Sequence, residues 1–152
     1  MRASEIEFRA PTTADMAVLI ENMRQADRDE LDCIPNYTSR YSAVYDSVRL
    51  SDPDFLFAAR VCDHLICIGG VSVSGNPWLV GTDLLDSYGF RLHAEARLRV
   101  ALMLERYPVL FNWVDCRNLK TIRWLRRLGF VFLQTAEFKP GLLMVKFEMR
   151  AG

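Results

Sequence analysis

The stretch from Trp78 to Val114 constrains the fold more than any other part of the sequence. It opens with a short apolar run, Trp78-Leu79-Val80-Gly81, and closes with a second, Val109-Leu110-Phe111-Asn112-Trp113-Val114. From about Phe90 to Tyr107 the chain between them reads as helical, and Pro108 stops it because proline cannot continue a helix. Two strands joined through a helix are expected to run parallel, with a right-handed crossover.

Antiparallel pieces flank this unit. Ile6-Glu7-Phe8-Arg9 alternates apolar and polar, as a half-buried strand does, and Pro11 ends it. Thr12 and Thr13 then offer capping hydroxyls, with Asp15 placed to suit the helix dipole. Met16, Leu19, Ile20 and Met23 recur at helical spacing, which predicts a helix over Thr13 to Gln25. Ala26 to Leu31 continues it or opens a second short helix, and Cys33-Ile34-Pro35-Asn36 breaks the pattern. Tyr41 to Leu50 is expected to be helical. Phe55 to Val61 and Leu65 to Val73 read as strands around a turn at Asp63-His64. Gly69-Gly70 suggests a bulge or a close backbone approach. Thr82 to Gly89 is the least regular region. After the second apolar run, Asp115-Cys116-Arg117-Asn118 leads into a helix from about Leu119 to Leu128, with Gly129 as a left-handed stop. Phe130 to Gln134 and Leu142 to Glu148 read as two last strands around Lys139-Pro140-Gly141. With no repeat or linker, residues 1–152 read as a single α/β (α+β) domain: a mixed, mostly antiparallel sheet with helices on both faces.

Composition excludes several functions. Lys+Arg and Asp+Glu both number 19, so binding nucleic acid through bulk charge is not expected. Lys120, Arg123 and Arg127, with Arg126 and Arg117 nearby, still make a local basic stripe that reads first as a solvated helix face. The longest apolar run, Val100 to Leu104, is far too short for a membrane span, and the start Met1-Arg2-Ala3-Ser4-Glu5 is too polar for a signal peptide. Cytoplasmic placement is the expectation. Cys33, Cys62, Cys67 and Cys116 form no C-x-x-C pair, and His64 and His93 sit in no zinc spacing. The cysteines therefore read as reduced thiols without a metal, and both histidines as solvated.

Several segments carry a family resemblance. Ile6 to Asp15 resembles the first strand and helix entry of the Gcn5-related N-acetyltransferase (GNAT) superfamily. Asn118-Leu119-Lys120-Thr121-Ile122-Arg123-Trp124-Leu125-Arg126-Arg127-Leu128-Gly129-Phe130 resembles its late motif, an Asn, an aromatic-bearing helix and a closing Leu-Gly-Phe. Pro77 to Asp83, Tyr107 to Asp115 and Ile122 to Leu125 resemble, more narrowly, acetyltransferase-like proteins of tailed phages and prophages, including an internal virion protein.

The resemblance implies a seven-stranded sheet with one splayed parallel strand pair. It implies acetyl-CoA as acyl donor and a small-molecule or protein amine as acceptor. Leu79, Val80 and Gly81 would supply a free strand edge for the pantetheine arm, with Asn118 across the gap. Asn118 equally reads as the cap of the following helix. Arg91, Arg97 and Arg99 are candidate phosphate partners or a solvated face. Asp83, Asp115 and Glu30 are the carboxylates that would deprotonate the acceptor, with Asp29 beside Glu30. The chain also departs from the family pattern. Gly81 to Gly89 lacks the Gln/Arg-x-x-Gly-x-Gly/Ala loop that holds the pyrophosphate, and it carries Asp83 and Asp86 instead. Leu125 stands where many members have a tyrosine acid. These departures set a second expectation beside the first: a GNAT-fold phage virion or assembly protein, virion-associated, that acts by binding phage structural proteins.

Overall fold

The computed structural model describes residues 5–35 and 39–152; the polar start through Ser4 and the predicted break at Asn36 lie outside the described residues. In chain order the elements are β1 (Glu7–Arg9), α1 (Thr13–Glu21), α2 (Gln25–Asp32), α3 (Arg40–Leu50), β2 (Phe57–Val61), β3 (His64–Val71), β4 (Pro77–Gly81), α4 (Leu84–Arg106), β5 (Val109–Asp115), α5 (Leu119–Leu128), β6 (Val131–Lys139) and β7 (Leu142–Arg150).

The seven strands divide into two antiparallel sheets, β1-β2-β3-β4 and β5-β7-β6. Their join is the β4/β5 pair, which the α4 crossover makes parallel. Among the described residues, the hydrogen bonds at this join lie at the amino end of β4. Phe111 N–H donates to Gly75 O at 3.1 Å, and Asn112 Nδ2 donates to Pro77 O at 2.8 Å. Beyond that point no hydrogen bond joins β4 to β5 among the described residues, and a wedge opens toward Gly81 and Asp115.

Helix ends follow local chemistry. Thr12 and Asp15 form a reciprocal capping box, Asp15 N–H to Thr12 Oγ1 at 3.1 Å and Thr12 N–H to Asp15 Oδ2 at 2.9 Å. Gly129 stops α5 with φ 109°, a conformation that suits a residue without Cβ. Between β2 and β3, Cys62 and Asp63 both take positive φ (46° and 65°), the signature of a two-residue type I′ turn. The turn thus sits one residue earlier than the sequence suggests, and His64 begins β3.

Three other expectations change. The predicted Thr13–Gln25 helix ends at Glu21 because Arg24 N–H bonds Gly81 O at 2.9 Å, which pulls the chain toward β4 before α2 starts. The irregular Thr82–Gly89 region is helical from Leu84, and Leu85 and Leu92 are buried against β2 and β3. The bulge lies at Ala59/Arg60 rather than at the glycines. Gly69 serves close approach instead: a Cβ there would lie 3.0 Å from Trp78 O and 2.7 Å from Leu79 Cδ1.

Each face of the first sheet carries its own core. Met16, Leu19 and Val44 of α1 and α3 cover Ala58, Ile68 and Val80 on one side. On the other, α4 covers Ala59, Val61, Ile66 and Cys67. Farther along, Met103 and Leu125 pack on Leu110, Val114 and Phe147 of the second sheet. Full burial of each such leucine contributes about 1.5–3 kcal/mol.

Asp15 ties β1, α1 and β2 together. Its carboxylate, 2% exposed, accepts from Arg9 Nη1 and Arg60 Nη1, each at 2.8 Å. Burial pushes its pKa up, but the hydrogen bonds from Thr12 and Arg9 outweigh that and hold it below the ordinary value. Asp15→Ala is expected to destabilise the fold by about 3 kcal/mol, because two arginines lose a buried partner. Urea unfolding at neutral pH measures it, and the deficit should shrink in acid as wild-type Asp15 takes up its proton.

Candidate functional site

The wedge is built from strand edges. In β4, residues alternate in the direction of their backbone groups. Val80 pairs with Ile68 of β3. The groups of Pro77 and Gly81 turn away from β3: Pro77 O accepts from Asn112, and Gly81 bonds to the α2 segment through both N–H and C=O. Leu79, two residues from each, therefore aims its N–H and C=O into the gap.

Side chains from α2 occupy the open end. Gly81 N–H donates to Asp27 Oδ2 at 2.8 Å, and Asp115 N–H donates to Glu30 Oε1 at 3.0 Å. Asp27 and Glu30 lie one helical turn apart, so a single face of α2 serves both separated strands. Arg24, 8% exposed, completes the arrangement. Its guanidinium grips Asp27 through Nε and Nη2 at 2.8 and 3.1 Å, and reaches Asp86 of α4 at 2.9 Å and Thr121 Oγ1 of α5 at 3.4 Å. One residue thus bridges the β4 end, α2, α4 and α5.

The carboxylates differ in charge state. Burial lifts Glu30 to about 7, helped by the charges of Asp27 and Asp115 and opposed by the Asp115 N–H and Arg24. Asp115 is also buried, yet the side chain and N–H of Arg117 (Nη2 at 2.6 Å, backbone N at 2.9 Å) hold it below the ordinary range. Cys33 Sγ lies 3.6 Å from Asp115 Oδ2, and burial with that carboxylate raises its thiol pKa. None of Cys33, Cys62, Cys67 and Cys116 is joined in a disulfide.

Across the wedge, Asn118 accepts from Thr121 N–H at 3.3 Å through Oδ1 and so caps α5. Its Nδ2 is buried without a partner, so the cap uses only half the amide. Trp124 belongs to none of the core clusters. It lines a cavity of about 20 Å³ with Leu79, Phe57, Cys67 and Leu92, and its Nε1 is buried and unpartnered. His93, expected to be solvated, has a buried Nδ1 without a partner.

The predicted site residues therefore separate. Leu79, Gly81, Asn118, Glu30 and Asp115 surround the wedge. Val80 faces β3 instead, because strand alternation turns its backbone away from the gap. Asp83 is exposed at the start of α4. Arg97 lies about 20 Å along α4 from Leu84. Arg99 is held by Glu95 at 3.1 Å and stacked on Phe57 at 4.4 Å, so its guanidinium is committed within the fold. Arg91 lies over Tyr88 at 5.2 Å. Sequence reasoning missed Arg24 and Asp27. Their signal was present as Arg24-x-x-Asp27-x-x-Glu30, charged groups on successive turns.

Parallel neighbouring strands that part at their carboxyl ends, in this element order, match known folds. An N-acetyltransferase from Staphylococcus aureus superposes with a TM-score of 0.70 at 13% identity, over 97% of this chain and 99% of that one. An acetyltransferase from Agrobacterium tumefaciens gives 0.69 at 10% identity, over 99% and 96%. A GNAT-family acetyltransferase from Bacillus cereus gives 0.61 at 8% identity, over 96% and 97%. The chain has the GNAT acetyltransferase fold. No family model matches the sequence, and no curated protein does. Within this fold, α2 stands over the splayed strands, and among the described residues no helix is long and apolar enough to cross a membrane.

Glu30 leaves a signature in stability. Between its ordinary value of 4.5 and its folded value of about 7, the unfolded chain has released the proton and the folded chain keeps it. Stability should therefore fall as pH rises through that window, by up to about 3 kcal/mol, and level off above it. The expected result is that Glu30→Gln removes this slope. Denaturant unfolding of both proteins from pH 4.5 to 8 measures it.

Proposed function

We propose that the protein is an N-acyltransferase of GNAT type that takes its acyl group from a coenzyme A thioester and transfers it to an amine. The single observation that carries this reading is the wedge: β4 has an unpaired strand edge at Leu79, the turn after β5 has a buried, unpartnered amide at Asn118, and a carboxyl group with a pKa of about 7 bonds the end of β5.

The residues suit an amide-bearing arm. Leu79 offers one donor and one acceptor, and Asn118 Nδ2 offers a donor that nothing in the fold satisfies. They suit phosphates less well. Thr82 caps the start of α4, taking Leu84 N–H on Oγ1 at 3.3 Å and Leu85 N–H on its carbonyl at 3.0 Å. The first amides of that helix are thus already engaged, and the affinity for acetyl-CoA rests on its pantetheine arm. Bound there, acetyl-CoA supplies an acyl group activated as a thioester. Glu30 takes the proton from the acceptor ammonium, since a base with a pKa near 7 is half ionised at neutral pH. Asp115, held ionised by Arg117, keeps negative charge beside Glu30 and favours a cationic acceptor.

Calorimetric titration with acetyl-CoA tests this. Saturable one-to-one binding is expected, and Asn118→Ala should weaken it about tenfold through loss of one buried hydrogen bond. In an acyl-transfer assay, activity should rise with pH through about 7, and Glu30→Gln should lower kcat by roughly 10²–10⁴.

A second reading is a non-catalytic relative that acts by binding other proteins, such as structural proteins of a phage or prophage. Arg24, which links Asp27 to Asp86 and Thr121 beside Gly81, would in that case serve the fold alone. Folded wild-type protein that takes up no acetyl-CoA at millimolar concentration would favour that reading over transfer.

A further inference from the structure

Two cations from distant segments converge on one carboxylate at the start of α4. Arg24 Nη1 donates to Asp86 Oδ1 at 2.9 Å, and Lys120 Nζ lies 4.0 Å from Asp86 Oδ2. Arg24 precedes α2, Asp86 stands in the first turn of α4 and Lys120 in the first turn of α5. Asp86 thus presents one oxygen to each cation. A phosphate group offers the same arrangement with more charge, and a guanidinium pairs well with its oxygens.

The three side chains differ in freedom. Asp27 holds Nε and Nη2 of Arg24, which fixes the guanidinium and leaves Nη1 directed at Asp86. Lys120 and Asp86 are looser, with side chains 77% and 41% exposed. Asp86 can therefore turn into water without a large loss, as exposed ion pairs generally can. Charge explains what its departure would change. Arg24 and Lys120 are balanced by Asp27 and Asp86, so these four groups together exert no net pull on an anion; the first three alone carry one positive charge. The amides at the start of α4 take no part, because Thr82 accepts from those of Leu84 and Leu85.

The cluster adjoins the residues assigned to the pantetheine arm. Arg24 N–H bonds Gly81 O, two residues beyond Leu79 in β4, and its Nη2 reaches Thr121 Oγ1, one helical turn beyond Asn118. We propose that Arg24 and Lys120 form a diphosphate subsite, that Asp86 occupies it as an internal anion, and that the diphosphate of the coenzyme displaces Asp86. The coenzyme as ligand rests on the transferase reading; the exchange of one anion for another rests on the geometry of Arg24, Lys120 and Asp86. Asp86 therefore lowers the affinity for the whole coenzyme and leaves that for its arm untouched.

Calorimetric titration with three probes tests this: acetyl-CoA, inorganic pyrophosphate, and S-acetylpantetheine, which has the arm and the thioester without phosphates. Asp86→Asn should bind acetyl-CoA about tenfold tighter than wild type and should bind pyrophosphate saturably, with its affinity for S-acetylpantetheine unchanged. Adding Lys120→Ala, at an exposed position, should cancel both gains, and an unchanged thermal midpoint checks that each variant is folded. An Asp86→Asn protein that gains no affinity for pyrophosphate, a gain that survives Lys120→Ala, or an equal gain for S-acetylpantetheine would each overturn the proposal. If no form binds acetyl-CoA or S-acetylpantetheine, the transferase reading fails and the coenzyme is overturned as the ligand. Pyrophosphate binding by Asp86→Asn then still decides whether Arg24 and Lys120 hold a diphosphate.

Discussion

The parting of β4 from β5 depends on what satisfies the backbone groups that the split leaves unpaired. A buried N–H without a partner costs about as much as a lost hydrogen bond. Here the acids of α2 serve as the missing strand. Asp27 takes the amide of Gly81, and Glu30 takes that of Asp115, so the wedge stays open without orphaned amides at its wide end. Leu79, between the closed and the filled parts of the gap, is where the edge is left for something else.

The same arrangement sets the electrostatics. Two carboxylates on one face of α2, Asp27 buried and Glu30 half-buried, would repel each other, and the fold separates their roles by partner. Asp27 has the Arg24 fork and is neutralised as a pair. At Glu30, burial and the neighbouring negative charges outweigh the Asp115 amide and Arg24, so its proton is retained to about 7. Asp115, with Arg117 against it, goes the other way. A pair of neighbouring carboxyl groups with values pushed apart is the physical pattern of an acid–base site. Arg24 also explains how Asp86 is tolerated at the start of α4, where a lone carboxylate would compete with any anion: it is bound to Arg24 at 2.9 Å and lies 4.0 Å from Lys120.

Much of the fold was legible because the signals were local. The Thr12 cap, the Gly129 stop, the Asn118 cap and the hairpin after Val61 each rest on the chemistry of a few adjacent residues. The start of α4 was missed although Leu85, Tyr88 and Leu92 recur at helical spacing. Asp83, Asp86 and Gly89 read as loop residues, and it is burial against β2 and β3 that makes Leu84–Gly89 helical. What Trp124 on α5 packs against was not legible in its local sequence: it lines a small cavity with Leu79, Phe57, Cys67 and Leu92, residues brought there by other elements.

The sequence alone determined the order of elements, the parallel crossover from β4 to β5, and the residue types able to act at the strand ends. Those follow from periodicity and capping, which operate within a few residues. The tertiary structure decided which of these residues meet. Val80 and Asp83 are neighbours of Gly81 in the chain, yet one faces β3 and the other faces solvent. Glu30 and Arg24, far away in sequence, reach the wedge because α2 is drawn to the free end of β4. A side chain's chemistry is written in its own letter. Its pKa and its partners come from burial and from charges brought in by distant segments, and only the folded chain assembles those.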